Sequence, residues 1–200
     1  MSPRSEEFNA MIKDERREQI LHAALMAFAT KGFSATKISD IVAGANMSHG
    51  LVYHYFKSKE EIFSELLKRA MWGSAHSLEM VETAPISPLE KVRQTAKYIL
   101  GAISDFEDTA YYFLIVIHAS IMAGLEMDRE QYARDSTMAM QAMARILKAG
   151  QETGEVIDGD PMAMTTAFFA TIQGLAMYKL AIGEFKMPDP EILVNMVKKP

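Results

Sequence analysis

Residues 36–56, which read TKISDIVAGANMSHGLVYHYF, decide the fold of this chain. Ile38 and Ile41 begin an apolar repeat of helical period, and Asn46 can end that helix because asparagine tolerates positive φ better than most residues. Ser48 then begins a second, very short helix, since its hydroxyl can accept hydrogen bonds from the free N–H groups of the next turn. Two helices joined by so short a turn form a helix-turn-helix.

The short second helix has two faces of different character. Val52 and Phe56 point together toward the neighbouring helices, and they anchor a helix that would be marginal on its own. Gly50 and His54 lie on the opposite face. A glycine inside a helix costs about 1 kcal/mol relative to alanine, so Gly50 indicates close approach to a partner surface. The outer face is therefore predicted to bind something.

Helix signals recur along the rest of the chain, and no stretch alternates apolar and polar residues for long. The chain is predicted to be an all-α protein of about nine helices, with a three-helix domain over residues 1–57 and a larger domain over residues 58–200. Helix 4 joins the two domains, and Glu61 completes its S-x-x-E capping box. The helices are expected to begin at or just after Glu15, Thr36, Ser48, Ser58, Ser87, Thr109, Asp128, Asp160 and Asp189.

Composition excludes several classes of protein. Hydrophobic residues make up 49% and charged residues 24% of the 200, which suits a globular chain with a sizeable core. The sequence has no cysteine, so disulfides, thiolate metal sites and a cysteine nucleophile are excluded. Residues 1–17 do not resemble a signal peptide, and apolar runs such as 111–117 are shorter than the ~20 residues of a membrane span. We expect a cytoplasmic protein without membrane contact.

Charge is unevenly distributed along the chain. The formal net charge is −5, yet residues 16–59 carry six basic side chains against two acidic ones. Such asymmetry is typical of a nucleic-acid-binding end attached to a body that does not bind nucleic acid, although a solvated face explains a charge run equally well. The six basic residues are Arg16, Arg17, Lys31, Lys37, Lys57 and Lys59.

Residues 16–68 resemble the N-terminal signature of the TetR family almost position by position. The matching segments are ILHAALMAFATKGF at 20–33, ATKISDIVA at 35–43, NMSHGLVYHYF at 46–56 and KSKEEI at 57–62. Asn46 stands where the family usually has glycine, and Leu51 stands where a small or hydroxylated residue is commoner.

The resemblance implies a transcriptional regulator, usually a repressor, whose dimer places its recognition helices in successive major grooves of a pseudo-palindromic double-stranded DNA operator. It places near base edges Ser48, His49, Gly50 and Leu51. It assigns to phosphates Thr36, Lys37, Tyr53, His54 and Lys59.

Two of these assignments have plainer alternatives. Tyr53 could instead pack partly into the core. His49 and His54 could in principle bind a metal, but their i, i+5 spacing does not place them on one helix face, so no metal site is expected.

The resemblance of the C-terminal part is weaker. Residues 150–161 look like the family's loop before helix 8, and residues 171–178 look like its dimerising helix. A stripe of small residues in helix 8 would let another helix approach closely, which favours a homodimer, although packing within one chain explains the stripe as well. The stripe consists of Ala163, Ala167, Ala170 and Gly174.

The larger domain is expected to bind a small-molecule effector. The chain has 16 methionines, several of them in helices 7 and 8, and this flexible side chain suits a pocket for apolar ligands as well as it suits a core. Polar residues inside apolar runs must find a hydrogen-bond partner, which can be a ligand or the protein itself. The candidate ligand-binding residues are Trp72, His76, Tyr111, His118, Met122, Met140 and Gln173.

Two other classes of function fit the sequence less well. An all-α enzyme would need a nucleophile–base or paired-carboxylate constellation in an apolar region; none is found, so neither a catalytic residue nor a cofactor is expected. A plain interaction module would not need the outward face formed by Gly50, Tyr53 and His54.

Overall fold

The computed structural model describes residues 3–121, 129–182 and 184–200. The prediction of an all-α protein is confirmed, since the β-pairing recorded in these ranges is one isolated antiparallel bridge between Val156 and Lys198. The helices are α1 (Pro3–Lys31), α2 (Ile38–Gly44), α3 (His49–Tyr55), α4 (Lys59–Thr83), α5 (Pro88–Asp105), α6 (Glu107–Ile121), α7 (Arg129–Glu152), α8 (Pro161–Ala181) and α9 (Glu191–Asn195).

Several helix ends differ from their predicted positions. α1 begins at Pro3, well before Glu15, since proline is accommodated in a first turn and no breaker follows it. α7 continues through Gly150 to Glu152, and the chain turns at Gly154 with φ 77°. The expected start of helix 7 at Asp128 lies outside the described residues.

The signals at Asn46 and Ser48 act as the sequence predicts, and a glycine ends α1. Gly32 follows α1 with φ 79°, and Asn46 follows α2 with φ 51°. The Ser48 hydroxyl accepts a hydrogen bond from the Leu51 N–H at 3.2 Å and caps α3. These local hydrogen bonds and positive-φ residues fix the turn that aims α3.

The capping of α4 differs in one detail. The Ser58 hydroxyl accepts from the Glu61 N–H at 3.2 Å, as expected. The Glu61 carboxylate does not return to Ser58, however, because it accepts from the Lys57 N–H at 2.6 Å. In a standard capping box this carboxylate accepts from the N–H of the N-cap residue, which here is Ser58. In this chain it accepts instead from the N–H of the residue before the N-cap.

Contacts group the chain into two compact units. The first contains the described residues of Met1–Leu67 and Leu114–Glu126, and the second contains those of Lys68–Phe113 and Met127–Pro200. The first turns of α4 belong to the first unit because the Phe63 ring lies 5.2 Å from the Phe28 ring and 4.9 Å from the Phe33 ring, centroid to centroid. The domain boundary after residue 57 stays a prediction.

The second unit has its own core, formed by α5, α7, α8 and α9 with the end of α4 and the start of α6. Its central side chains include Leu100, Leu147, Phe168 and Ile172, all almost fully buried. No helix in the described part of the chain combines the length and apolarity that a membrane span requires.

Candidate nucleic-acid interface

The inner face of α3 is anchored as the sequence predicts. Val52 is fully buried and Phe56 is 2% exposed. The guanidinium carbon of Arg17 lies 5.0 Å from the centre of the Phe56 ring, and Arg17 also forms an ion pair with Glu65 on α4 at 3.3 Å. The C-cap of α3 is therefore held by Arg17 of α1, and α3 also packs against α2, although its seven residues would not hold a helix alone.

The outer face of α3 is free for a partner. Ser48, His49, Gly50 and His54 are exposed, and Leu51 is half-buried. A Cβ built on Gly50 would meet no described atom outside its own helix within 4 Å. Packing within the described residues therefore gives no reason for a glycine here, while close approach to an external surface does.

Tyr53 also belongs to this exposed surface. It is 52% exposed, which does not fit the alternative in which its ring packs into the core. The His54 ring meets Tyr55 edge-on with centroids 5.4 Å apart, which orients the imidazole at the end of α3. Aromatic and imidazole groups that flank a helix end in this way are placed to reach a phosphate backbone.

Two residues assigned to phosphates by the resemblance need correction. Thr36 is 1% exposed, and its hydroxyl donates to the carbonyl oxygens of Ala27 at 3.1 Å and Gly32 at 2.7 Å. Lys59 points its ammonium group at the carbonyl oxygens of Phe33 and Thr36, both at 3.0 Å. Both side chains thus face the α1–α2 turn, which we define as residues 32–37, because its carbonyl groups need donors.

Lys37 remains a candidate for phosphate contact. It is exposed at the N-cap of α2, and its backbone N–H donates to Asp40 at 2.8 Å. Lys31 also bonds Asp40, at 2.9 Å, and this hydrogen bond, followed by that of Lys37, holds the pKa of the Asp40 carboxyl below its ordinary value. Of the basic residues between 16 and 59, Arg17 and Lys31 therefore pair with acids, whereas Arg16, Lys37 and Lys57 are exposed.

The candidate ligand-binding residues are spread over both units. In the second unit, Trp72 is 70% exposed and stacks on His76 with centroids 5.1 Å apart, so both rings lie on the surface. Half-buried positions are occupied by Tyr111, Met140 and Gln173, and Met122 lies outside the described residues. The ligand assignment of all these residues stays a prediction.

His118 belongs to the first unit, where sequence reasoning did not expect a cavity. It lines a groove of about 260 Å³ together with Ile121 on α6 and residues 31–35 of α1 and the α1–α2 turn. Its Nδ1 atom is buried and has no hydrogen-bond partner among the described atoms. No local signal could have revealed the groove, because its two sides are more than eighty residues apart in sequence.

The small-residue stripe of α8 faces outward. Ala163, Ala167 and Ala170 are exposed, and a Cβ on Gly174 would meet no described atom of another segment within 4 Å. The opposite side of α8 carries Phe168, Ile172 and Ala176 into the core of the second unit. Packing inside the described part of the chain therefore does not account for the stripe.

A short anchored helix with an exposed outer face, which follows another helix across a tight turn, is the arrangement found in DNA-binding helix-turn-helix proteins. Comparison with known proteins agrees. Residues 20–66 match the family model described as bacterial regulatory proteins, tetR family. This match confirms, over residues 20–66, the resemblance to the N-terminal signature of that family of transcriptional regulators.

Individual relatives support the assignment to different extents. The uncharacterized HTH-type transcriptional regulator YfiR of Bacillus subtilis is 27% identical over 78% of this chain and 76% of its own length. The HTH-type transcriptional repressor KstR2 of Mycolicibacterium smegmatis is 38% identical, but over only 38% of each chain. SmeT of Stenotrophomonas maltophilia, solved as a complex with triclosan, has a TM-score of 0.69 at 23% identity, with 92% of each chain covered, and shares the fold.

Proposed function

We propose that this protein is a cytoplasmic, ligand-responsive repressor. In this proposal its homodimer binds a pseudo-palindromic DNA operator and leaves it when a small apolar or amphipathic molecule binds the C-terminal domain. The observation that carries the proposal is the contrast between the two faces of α3, with Val52 and Phe56 buried and the side from Ser48 to His54 exposed. A helix held in this way presents its outer face to the major groove without rearrangement.

The exposed residues divide into two kinds of DNA contact. Ser48, His49, Gly50 and Leu51 lie at the N-terminal end of α3, the part of a recognition helix that reads base edges. Leu51 has no hydrogen-bonding group and is assigned to the methyl group of a thymine. Contacts to the phosphates of the DNA backbone are assigned to Lys37, Tyr53 and His54, which are exposed. Thr36 and Lys59 are no longer included among these contacts.

The dimer contact is assigned to the outward stripe of α8. Exposed alanines let two helices approach closely, and the same helix carries Met177 and Tyr178, which are 48% and 57% exposed. An apolar surface of this kind on a charged chain is typical of an interface between copies. Two copies related by a two-fold axis would each bring one α3 to one half-site of the operator.

The effector is assigned to the second unit. The fold is shared with SmeT, which was solved with triclosan bound, and the half-buried Tyr111, Met140 and Gln173 offer polar and polarisable groups to a mostly apolar molecule. An effector that releases DNA must bind the two conformations of the regulator with unequal affinity.

Selection from random duplexes tests the proposal. Repeated capture of a random DNA pool by the full-length protein should enrich an inverted repeat whose half-sites lie about one helical turn, or a multiple of it, apart. Enrichment of a single unrepeated site would contradict the dimeric arrangement. Failure to enrich any duplex over the starting pool would contradict DNA recognition itself.

A further inference from the structure

The ammonium group of Lys59 is committed to the protein. Its Nζ donates to the carbonyl oxygens of Phe33 and Thr36, both at 3.0 Å, and lies 4.4 Å from the centre of the Phe33 ring. An ammonium group has three donors, so two of them are already used and the aromatic face attracts the charge. Both carbonyl groups belong to the α1–α2 turn.

The position of this charge is set by the turn and not by α4. Lys59 is the first residue of α4, where a positive charge opposes the helix dipole. The two carbonyl groups and the ring compensate for that placement. If Nζ swung out to a phosphate, it would break both hydrogen bonds and leave two partly buried carbonyl oxygens without their donor.

The same turn is held from its other side by Thr36, whose buried hydroxyl bonds the carbonyl oxygens of Ala27 and Gly32. The turn ends at Lys37, the N-cap of α2, which is exposed. Lys59 and Thr36 together therefore fix where α2 begins and where its exposed lysine lies.

We infer that Lys59 is a positioning residue, which holds the α1–α2 turn in the conformation that places Lys37 and α2 against DNA, and that it does not itself neutralise a phosphate. This inference rests on the proposed DNA binding. Lys37 and Lys59 carry the same charge, but Lys37 contacts DNA directly and Lys59 acts through the turn. The dependence of DNA affinity on salt concentration distinguishes these two roles.

The test compares Lys59→Met with Lys37→Met in the full-length protein. Binding of a random 30-base-pair duplex is followed by fluorescence anisotropy over a series of NaCl concentrations. Lys37→Met should lower the slope of log K against log salt by about 0.9 for each protomer bound, since one phosphate contact is lost. Lys59→Met should weaken binding by roughly tenfold at every salt concentration and leave the slope unchanged.

Amide exchange supplies a readout that DNA does not influence. In the free protein, Lys59→Met should accelerate exchange of the Thr36 N–H, which donates to Gly32 at 3.2 Å, whereas Lys37→Met should not. Thr36→Val loosens the turn without removing a charge, so it should also weaken DNA binding and leave the slope of log K against log salt unchanged. It replaces Lys59→Met as the test variant if Lys59→Met fails to fold.

The outcomes are distinguishable. Equal loss of slope in Lys59→Met and Lys37→Met would overturn the assignment of Lys59 and leave the proposed function intact. The positioning role of Lys59 would also be overturned if Thr36→Val accelerated amide exchange in the α1–α2 turn but left DNA affinity unchanged. Absence of binding by the wild-type protein at low salt would contradict the proposed function instead.

Discussion

Shortening the Val52 side chain should loosen the helix on which the DNA interface depends. Val52 is fully buried, and replacing it with alanine removes two methyl groups from the contact between α3 and the rest of the first unit. At about 0.8 kcal/mol for each buried carbon, with a further contribution from the cavity left behind, Val52→Ala should cost about 2–3 kcal/mol of stability.

Thermal unfolding followed by circular dichroism measures this cost. A loss of about 2–3 kcal/mol should lower the Tm of a chain of this size by about 4–12 °C. Because α3 lacks independent stability, binding to every duplex should weaken together. Leu51→Ala, one residue away and half-buried, is the matched control: it should hardly change Tm, yet relax discrimination at one base pair in each half-site by roughly 1 kcal/mol.

The opposite result would refute this reasoning. If Val52→Ala kept the wild-type Tm, the inner face of α3 would not be a packed anchor. If Leu51→Ala weakened operator and random duplexes equally, Leu51 would not read a base.

Three further predictions concern other parts of the chain. Gly174→Glu should convert the dimer to monomers in sedimentation by burying unpaired charge, whereas Lys148→Glu, at an exposed position outside the stripe, should not. A hydrophobic effector should raise Tm and weaken DNA binding together, and a binder that leaves operator affinity unchanged would contradict induction by that compound. The hydrogen bond from the Ser87 hydroxyl, followed by that from the Leu89 N–H, holds the pKa of the Glu155 carboxyl below its ordinary value. The ionised carboxylate therefore stabilises the fold at pH values above the ordinary pKa. This stabilisation is lost as the pH falls through the lowered pKa of the folded protein. Glu155→Gln should therefore lower Tm at pH 7, and its difference from wild type should shrink as the pH falls below the ordinary glutamate pKa of 4.5; a constant difference would contradict the role of this carboxylate.

Features set by neighbouring residues were predictable from the sequence. The positive φ at Asn46, the cap at Ser48 and the burial of Val52 depend on a few adjacent positions, and each is found where the pattern predicts it. Helical periodicity and caps act over one or two turns, and this range is what a single sequence reveals.

Features set by distant partners were not predictable. Lysine at the start of a helix after a recognition helix suggests phosphate contact, but the partners of Lys59 are carbonyl groups 23 and 26 residues away. The groove beside His118 and the capping of α5 by Glu155 likewise join segments more than sixty residues apart. Such pairings follow from tertiary packing, which propensity and spacing do not encode.

The central claim is that the exposed face of α3 binds duplex DNA, and a salt titration with one variant on that face tests it most directly. Wild-type protein should bind a random duplex at 50 mM NaCl, with a Kd on the order of 10⁻⁶ M or tighter that rises steeply with salt. His54→Glu, which changes the charge of an exposed side chain and leaves the buried face of α3 intact, should weaken this binding by tenfold or more without lowering Tm. Wild-type binding that His54→Glu leaves unaltered, or no wild-type binding at all, would contradict the account.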